Sequence, residues 1–220
     1  MTKQKNFWCD FYHLTTAQTF WKEDMHNKTD TFEMYIRKNP FKGGYTMAAG
    51  LAPVLEWLNK PRYSDAQIKK LAKMKYPSGR AKFDPAFLEF IKNEPFRVSV
   101  KSVREGDVVF PNEPIVQVVG PKWQVLMVET AILNAINSSS LIATKTSRIV
   151  SAADGRPVSE YGLRRMQEVY GLNVSRYAFV GGVSATSTVA AGLEYNMELS
   201  GTHPHAYEMS FENEYRAFQT

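Results

Sequence analysis

The chain has 220 residues, 44% of them hydrophobic and 13% aromatic, ample for a sizeable core in one large domain or two small ones. A single cysteine, Cys9, excludes an internal disulfide framework and fits a reducing, cytoplasmic setting. The start is polar and then aromatic, without a signal-peptide core, and no continuous apolar run nears the roughly 20 residues that cross a bilayer. The net charge of +5 is spread over scattered basic residues without a dense cluster, which ranks an anionic small molecule above nucleic acid as partner.

In chain order, a helix is expected after Thr15 through Ala17, Phe20 and Trp21. Phe32 to Arg37 alternates like a strand, and Asn39-Pro-Phe-Lys-Gly-Gly44 punctuates it as a turn. From Gly44 to Trp57 the spacing of Met47, Leu51, Val54, Leu55 and Leu58 is helical. Small helices follow from Arg62 to Phe96, with a capping signature at Ser64-Asp-Ala-Gln67 and breaks at Tyr76-Pro-Ser-Gly79 and Asp84-Pro85. Residues 97–120 turn β-rich at Arg97–Val100, Val108–Phe110 and Ile115–Val119, predicting a small antiparallel unit. The next thirty residues keep helical period, and the serine run Ser138–Ser140 predicts two packed helices. The turn Asp154-Gly155 marks a domain boundary, giving an α+β domain over 1–154 and a second domain over 155–220.

Beyond that turn, Pro157 to Arg165, Tyr177-Ala-Phe-Val-Gly-Gly182 and Met197-Glu-Leu-Ser-Gly-Thr-His-Pro-His205 each read as a strand that stops at glycine. Strands alternating with helix-length segments predict βα units around a parallel sheet. Ligands of such sheets sit at the carboxyl ends of the strands. Glu160, Arg164, Ser184, Thr186, Ser187, Thr202 and His205 are expected there. The spacing required for a zinc site is absent, as are the Gly-x-Gly-x-x-Gly and Walker nucleotide loops.

Seven stretches in order resemble the nicotinate phosphoribosyltransferase family. They are Asp10-Phe-Tyr12; Arg37-Lys-Asn-Pro-Phe-Lys-Gly-Gly-Tyr45; Glu105-Gly with Phe110-Pro-Asn-Glu-Pro114; Glu129-Thr-Ala-Ile-Leu-Asn134; Leu141-Ile-Ala-Thr-Lys145; Tyr161-Gly-Leu-Arg-Arg165; and Ser200-Gly-Thr202 with His205. The resemblance implies an α/β fold: an N-terminal α+β domain packed against the first βα units of an incomplete, truncated α/β barrel. It also implies transfer of phosphoribosyl from phosphoribosyl pyrophosphate to nicotinate, driven by ATP with Mg2+, to give nicotinate mononucleotide for NAD synthesis.

The same resemblance implies the site. Tyr12 and Tyr161 sandwich the nicotinate ring, Tyr12 coming from the partner subunit of a homodimer. Arg164 binds phosphate or carboxylate beside Gly201, Thr202 donates to nicotinate, and His205 is the histidine that ATP phosphorylates. Tyr161 stands where phenylalanine is commoner, and Pro204 and Ala206 depart from the family's usual loop; His203 is a second candidate for the phosphorylated position. The family runs on through further strands, so a chain stopping at Thr220 reads as a fragment, a half that needs a second chain, or a truncated chain without catalysis. A non-catalytic binding module and a nicotinamide-using relative stand as alternatives.

Overall fold

The structure, a computed structural model, describes residues 8–59, 63–166 and 170–219. Arg62 and Thr220, which bound two of the stretches above, lie outside them. The chain divides into two compact units, 1–144 and 145–220. The division falls inside a helix rather than at Asp154-Gly155.

The first unit opens with α1 (Phe11–Lys22), then β1 (Thr29–Tyr35), a 3-10 turn over Pro40–Lys42 and the short β2 (Thr46–Met47). Helices α2 (Leu51–Leu58), α3 (Asp65–Ala72) and α4 (Pro85–Asn93) follow. Strands β3 (Ser99–Ser102), β4 (Val108–Val109) and β5 (Pro114–Pro121) lead into α5 (Lys122–Ala152). The alternation in β1 is a real strand signal, because Phe32 and Met34 pack against the core while their neighbours are exposed. Ser64 caps α3 in a capping box with Gln67, as its sequence predicts.

The antiparallel sheet forms, but with partners that the local sequence does not reveal. β5 lies between β1 and β3, so β1 returns from about eighty residues upstream to pair Phe32 with Val118. β4 leaves that sheet and pairs with β2. Met47, expected on a helix, is therefore in a strand, and the helix begins only at Leu51.

The serine run does not break α5, which is one continuous helix of 31 residues. The two-helix expectation is wrong because Ser138 and Ser139 bond back to carbonyls one turn earlier, while Ser140 serves a chain segment crossing the helix. Ser140 Oγ accepts from Ala49 N–H at 3.1 Å and donates to Ala49 O at 3.2 Å, and Thr144 Oγ1 accepts from Met47 N–H at 2.8 Å. Ser139 bonds back to Ala135 O at 2.6 Å, a pattern a helix tolerates. Small side chains let the crossing segment approach closely. Gly50, at φ +102°, sits where an added Cβ would lie 2.5 Å from Ala135 O.

Two faces of α5 organise two cores. Trp123 and Met127 pack with Leu14, Ala17, Phe83, Phe87 and Ile91, whereas Val125, Val128, Ile132 and Ile136 pack with the sheet and α2. By length and composition alone α5 is apolar enough to cross a membrane, but 56% of its most apolar window is buried in the fold. It is the core helix of this unit.

The second unit holds a three-stranded parallel sheet, β6 (Ser159–Glu160), β7 (Ala185–Thr186) and β8 (Glu198–Leu199), in sequential order. Helix α6 (Tyr170–Val180) joins the first two strands and α7 (Val189–Tyr195) the last two; α8 (His205–Glu208) and α9 (Glu214–Gln219) follow. Tyr177 to Val180, expected as the second strand, lies in α6. Val174, Tyr177 and Ala178 have helical spacing, and the glycines end a helix instead of a strand. Val183 N–H reaches Ala178 O at 3.2 Å and Gly182 N–H reaches Phe179 O at 2.9 Å, with Gly182 at φ +101°. That is a Schellman stop, completed by the packing of Val183 on Ala178.

Replacing Gly50 with alanine forces a left-handed backbone on a β-carbon and drives it into α5. Urea unfolding of the variant is expected to show a loss of about 3 kcal/mol; a loss below about 1 kcal/mol would mean that α2 and α5 slide apart freely.

Candidate functional site

The carboxyl ends of the three parallel strands open onto a cleft of about 660 Å³, within the size range of small-molecule pockets. After β6 come Tyr161, Leu163 and Arg164; after β7, Ser187 and Val189; after β8, Ser200, Gly201 and Thr202, with Leu199 at the strand end. Among the described residues the cleft therefore combines the phenol of Tyr161, three aliphatic side chains, the hydroxyls of Ser187, Ser200 and Thr202, and the guanidinium of Arg164, and no carboxylate lines it. Such a lining suits a ligand with a flat apolar body and an anionic end.

A buried carboxylate holds the cleft's floor. Glu160, 9% exposed, accepts through Oε2 from Ser175 Oγ at 2.7 Å and from Thr186 Oγ1 at 2.8 Å, and through Oε1 from the Gly162 N–H. Ser175 and Thr186 are fully buried. One side chain thus ties β6, α6 and β7 to the turn that carries Tyr161 and Arg164. Gly162 belongs in that turn because an added Cβ would meet Glu160 Oε1 at 2.7 Å.

The expected site residues separate into three groups. Tyr161, Arg164, Ser187, Gly201 and Thr202 converge on the cleft. Glu160 and Thr186, expected to face a ligand, lie beneath it in the buried network, and Ser184 sits at the amino end of β7, bonded to Val158 O at 3.1 Å. His205 is exposed at the start of α8, and its ring is not among the cleft-lining groups. His203 is engaged elsewhere, stacked on Tyr207 at 4.9 Å between centroids. Tyr12 belongs to the first unit, half-exposed on α1, with its hydroxyl donating to Glu129 at 3.3 Å.

Ser200 is a cleft-lining residue that the strand-end reading did not single out. Its Oγ lies 3.1 Å from the Tyr161 hydroxyl. The available signal was its position directly after a strand end, level with Tyr161 after β6. A second cavity, about 340 Å³ in the first unit, is lined mainly by apolar side chains of β1, β5 and α5. Among the described residues its only ionisable lining groups are the carboxylates Glu33 and Glu129, which would repel an anion.

Comparison with known structures gives the class first. The crystal structure of nicotinate-nucleotide pyrophosphorylase from Pyrococcus furiosus shares the fold, at TM-score 0.76 and 22% identity over all of this chain and 48% of that one. The crystal structure of human nicotinic acid phosphoribosyltransferase matches at TM-score 0.82 and 34% identity, over 92% of this chain and 40% of that one. The family described as the nicotinate phosphoribosyltransferase (NAPRTase) N-terminal domain matches residues 7–137, more than half of the chain. The chain belongs to the nicotinate phosphoribosyltransferase family. Relatives of that name include those of Bacillus subtilis, 36% identical over 96% of this chain and 42% of the relative, and of Arabidopsis thaliana, 38% identical over 92% and 36%. The chain spans less than half the length of these curated relatives.

Removing the Glu160 carboxyl strands three donors at once. Glu160→Ala is expected to cost about 3 kcal/mol or more in urea unfolding, since each unpaired buried polar group costs about 1–3 kcal/mol. Glu160→Gln should lose less, because the Ser175 and Thr186 hydroxyls can turn to accept from its amide. Equal losses for both variants would show that hydrogen bonding is not what Glu160 contributes.

Proposed function

We propose that the protein carrying this chain is a nicotinate phosphoribosyltransferase. It joins nicotinate to phosphoribosyl pyrophosphate and releases pyrophosphate and nicotinate mononucleotide, a salvage step of NAD synthesis coupled to ATP hydrolysis. Family membership supports the reading, and one observation carries it on this chain: the cleft sets an aromatic face beside a guanidinium and hydroxyl donors, which is the chemistry of an aromatic carboxylate. Nicotinate's ring lies on Tyr161, its carboxylate is held by Arg164 or by the donors of Ser200 to Thr202, and its ring nitrogen attacks the anomeric carbon as pyrophosphate leaves.

The sheet order supports an α/β barrel. Three parallel strands in sequential order, each joined to the next by a helix, put every right-handed crossover on one face. A doubly wound sheet reverses direction and places helices on both faces; a barrel wall does not reverse. In this reading β6, β7 and β8 open an α/β barrel.

His205 is the residue ATP phosphorylates. Its exposure leaves the imidazole accessible to a phosphoryl donor, and neutral imidazole is nucleophilic near pH 7. Tyr12 completes the ring sandwich from the partner subunit of a homodimer, and its half-exposed face is free to do so. Among the described residues no group of three His, Cys, Asp or Glu side chains converges on a metal position. Mg2+ enters with the phosphates of the co-substrates. The reading sets the protein in the cytoplasm. A second chain contributing strands that follow β8 is the alternative to a single longer polypeptide.

The test is the formation of nicotinate mononucleotide from labelled nicotinate, phosphoribosyl pyrophosphate, ATP and Mg2+, with the chain alone and with any polypeptide that co-purifies with it. Arg164→Ala should lower kcat/KM about 100-fold, the scale of a lost bidentate charged contact, and Arg164→Lys should recover only part of it. His205→Ala should abolish both ATP stimulation and transfer of the ATP γ-phosphate to the protein. Absence of product, or preference for nicotinamide, would overturn the reading.

A further inference from the structure

The stretch Glu129-Thr-Ala-Ile-Leu-Asn134 is part of the family pattern, yet nothing in the proposed reaction uses it. Its first two residues grip the start of α1. Thr130 Oγ1 donates to Asp10 Oδ2 at 2.6 Å, and the Tyr12 hydroxyl donates to Glu129 Oε1 at 3.3 Å. The other oxygen of Glu129 faces His13 Nε2 at 3.6 Å. His13 is fully buried, and its Nδ1 accepts from the Asp10 N–H at 3.1 Å. The 3.6 Å approach of Nε2 to Glu129 is a contact and not a hydrogen bond, because Nε2 makes none. Tyr12 also lies against the His13 ring, 4.0 Å between centroids at 45°.

We propose that Glu129 and Thr130 are positioning residues for Tyr12: they clamp residues 10–13 onto α5 and fix the tilt of the phenol ring. The inference rests on the reading of Tyr12 as a nicotinate-stacking residue and adds the side chains that set its geometry. A half-exposed tyrosine pivots about two side-chain torsions, and stacking on a flat ligand demands one orientation. Here the phenol is fixed at both ends, by the buried His13 beneath the ring and by the Glu129 carboxylate at the hydroxyl. Leu14 and Ala17, buried one turn on, seat α1 against Trp123 and Met127 of the same helix, so the clamp acts on a rigid base. Partial desolvation, and then the negative charge of Glu129, hold the Tyr12 phenol above its ordinary pKa.

Two measurements on the complete protein test this. The first follows Tyr12 by its 13Cζ resonance during alkaline titration, assigned with Tyr12→Phe. Glu129→Gln should shift the titration down, and an unmoved titration overturns the clamp. The second is kinetic. Glu129→Ala, with Glu129→Gln as the variant that keeps the side chain's volume, should raise KM for nicotinate about tenfold, the scale of one lost charged hydrogen bond. KM for phosphoribosyl pyrophosphate and kcat should stay unchanged. In a Tyr12→Phe background the Glu129 substitution should add nothing; an undiminished effect there overturns the proposal, because Glu129 would then act elsewhere. A shifted titration with an unchanged nicotinate KM supports the clamp and instead removes Tyr12 from the nicotinate site.

Discussion

The first unit depends on one helix being buried on two faces. A helix that packs a sheet on one side and other helices on the opposite side has to be apolar through most of its circumference. α5 meets that demand with Trp123 and Met127 toward α1 and α4, and with Val125, Val128 and Ile132 toward the sheet. Of the polar residues it buries, Gln124, Ser140 and Thr144 bind backbone groups of crossing segments, and Ser139 bonds back within the helix. Gln124 accepts from the Arg97 N–H at 2.6 Å and donates to Pro95 O at 2.7 Å, and Ser140 and Thr144 bind the segment from Met47 to Ala49. An unpaired backbone amide in that position would cost about 1–3 kcal/mol. Helix α5 therefore fixes where the irregular chain runs as well as where the core lies.

This dual role explains which parts of the fold were legible. Alternation in β1, the cap at Ser64 and the β-rich stretch of residues 97–120 are local patterns; the cap appears where its sequence places it, and the strands form with their ends shifted, Thr29–Tyr35 for the expected Phe32–Arg37 and Ser99–Ser102 for Arg97–Val100. The serine run was misleading because serine weakens an isolated helix by competing for its backbone, whereas here Ser140 binds a segment 91 residues away in sequence and Ser138 and Ser139 bond back within the helix. Tyr177 to Gly182 misled for a related reason. Aromatic and β-branched residues ahead of glycine suit a strand end, but a Schellman stop uses the same glycine after a helix, and a short window cannot separate the two. The pairing of β1 with β5, and of β4 with β2, is long-range and leaves no local trace.

At the site, the strand-end rule brought Arg164, Ser187 and Thr202 together as neighbours, because in a parallel sheet such positions face one edge, whereas Tyr161 and Gly201 came from the family resemblance and Ser184 and His205 fall outside the cleft lining. It failed for Glu160 and Thr186 because the rule gives the edge but not the depth. Whether a carboxylate at a strand end faces ligand or interior depends on what stands opposite. For Glu160 that is a serine fifteen residues on and a threonine twenty-six on, both fully buried. A buried carboxylate with several donors is a structural element, and its cost is offset only while those donors remain.

The link between Tyr161 and Ser200 shows how such a floor shapes the cleft above it. β6 and β8 flank β7, so their ends stand about 10 Å apart at the usual strand spacing. The 3.1 Å contact between the Tyr161 hydroxyl and Ser200 means that the phenol reaches across the end of β7 to the turn after β8. A phenylalanine, commoner at this position by resemblance to the family, keeps the stacking face but has no hydroxyl to make the link. The tyrosine ring is thus held at its backbone by the Glu160 network through Gly162, and at its tip by Ser200. For a flat ligand stacked as proposed, the surface would be oriented before binding, and less of the interaction energy would be lost to ordering the side chain.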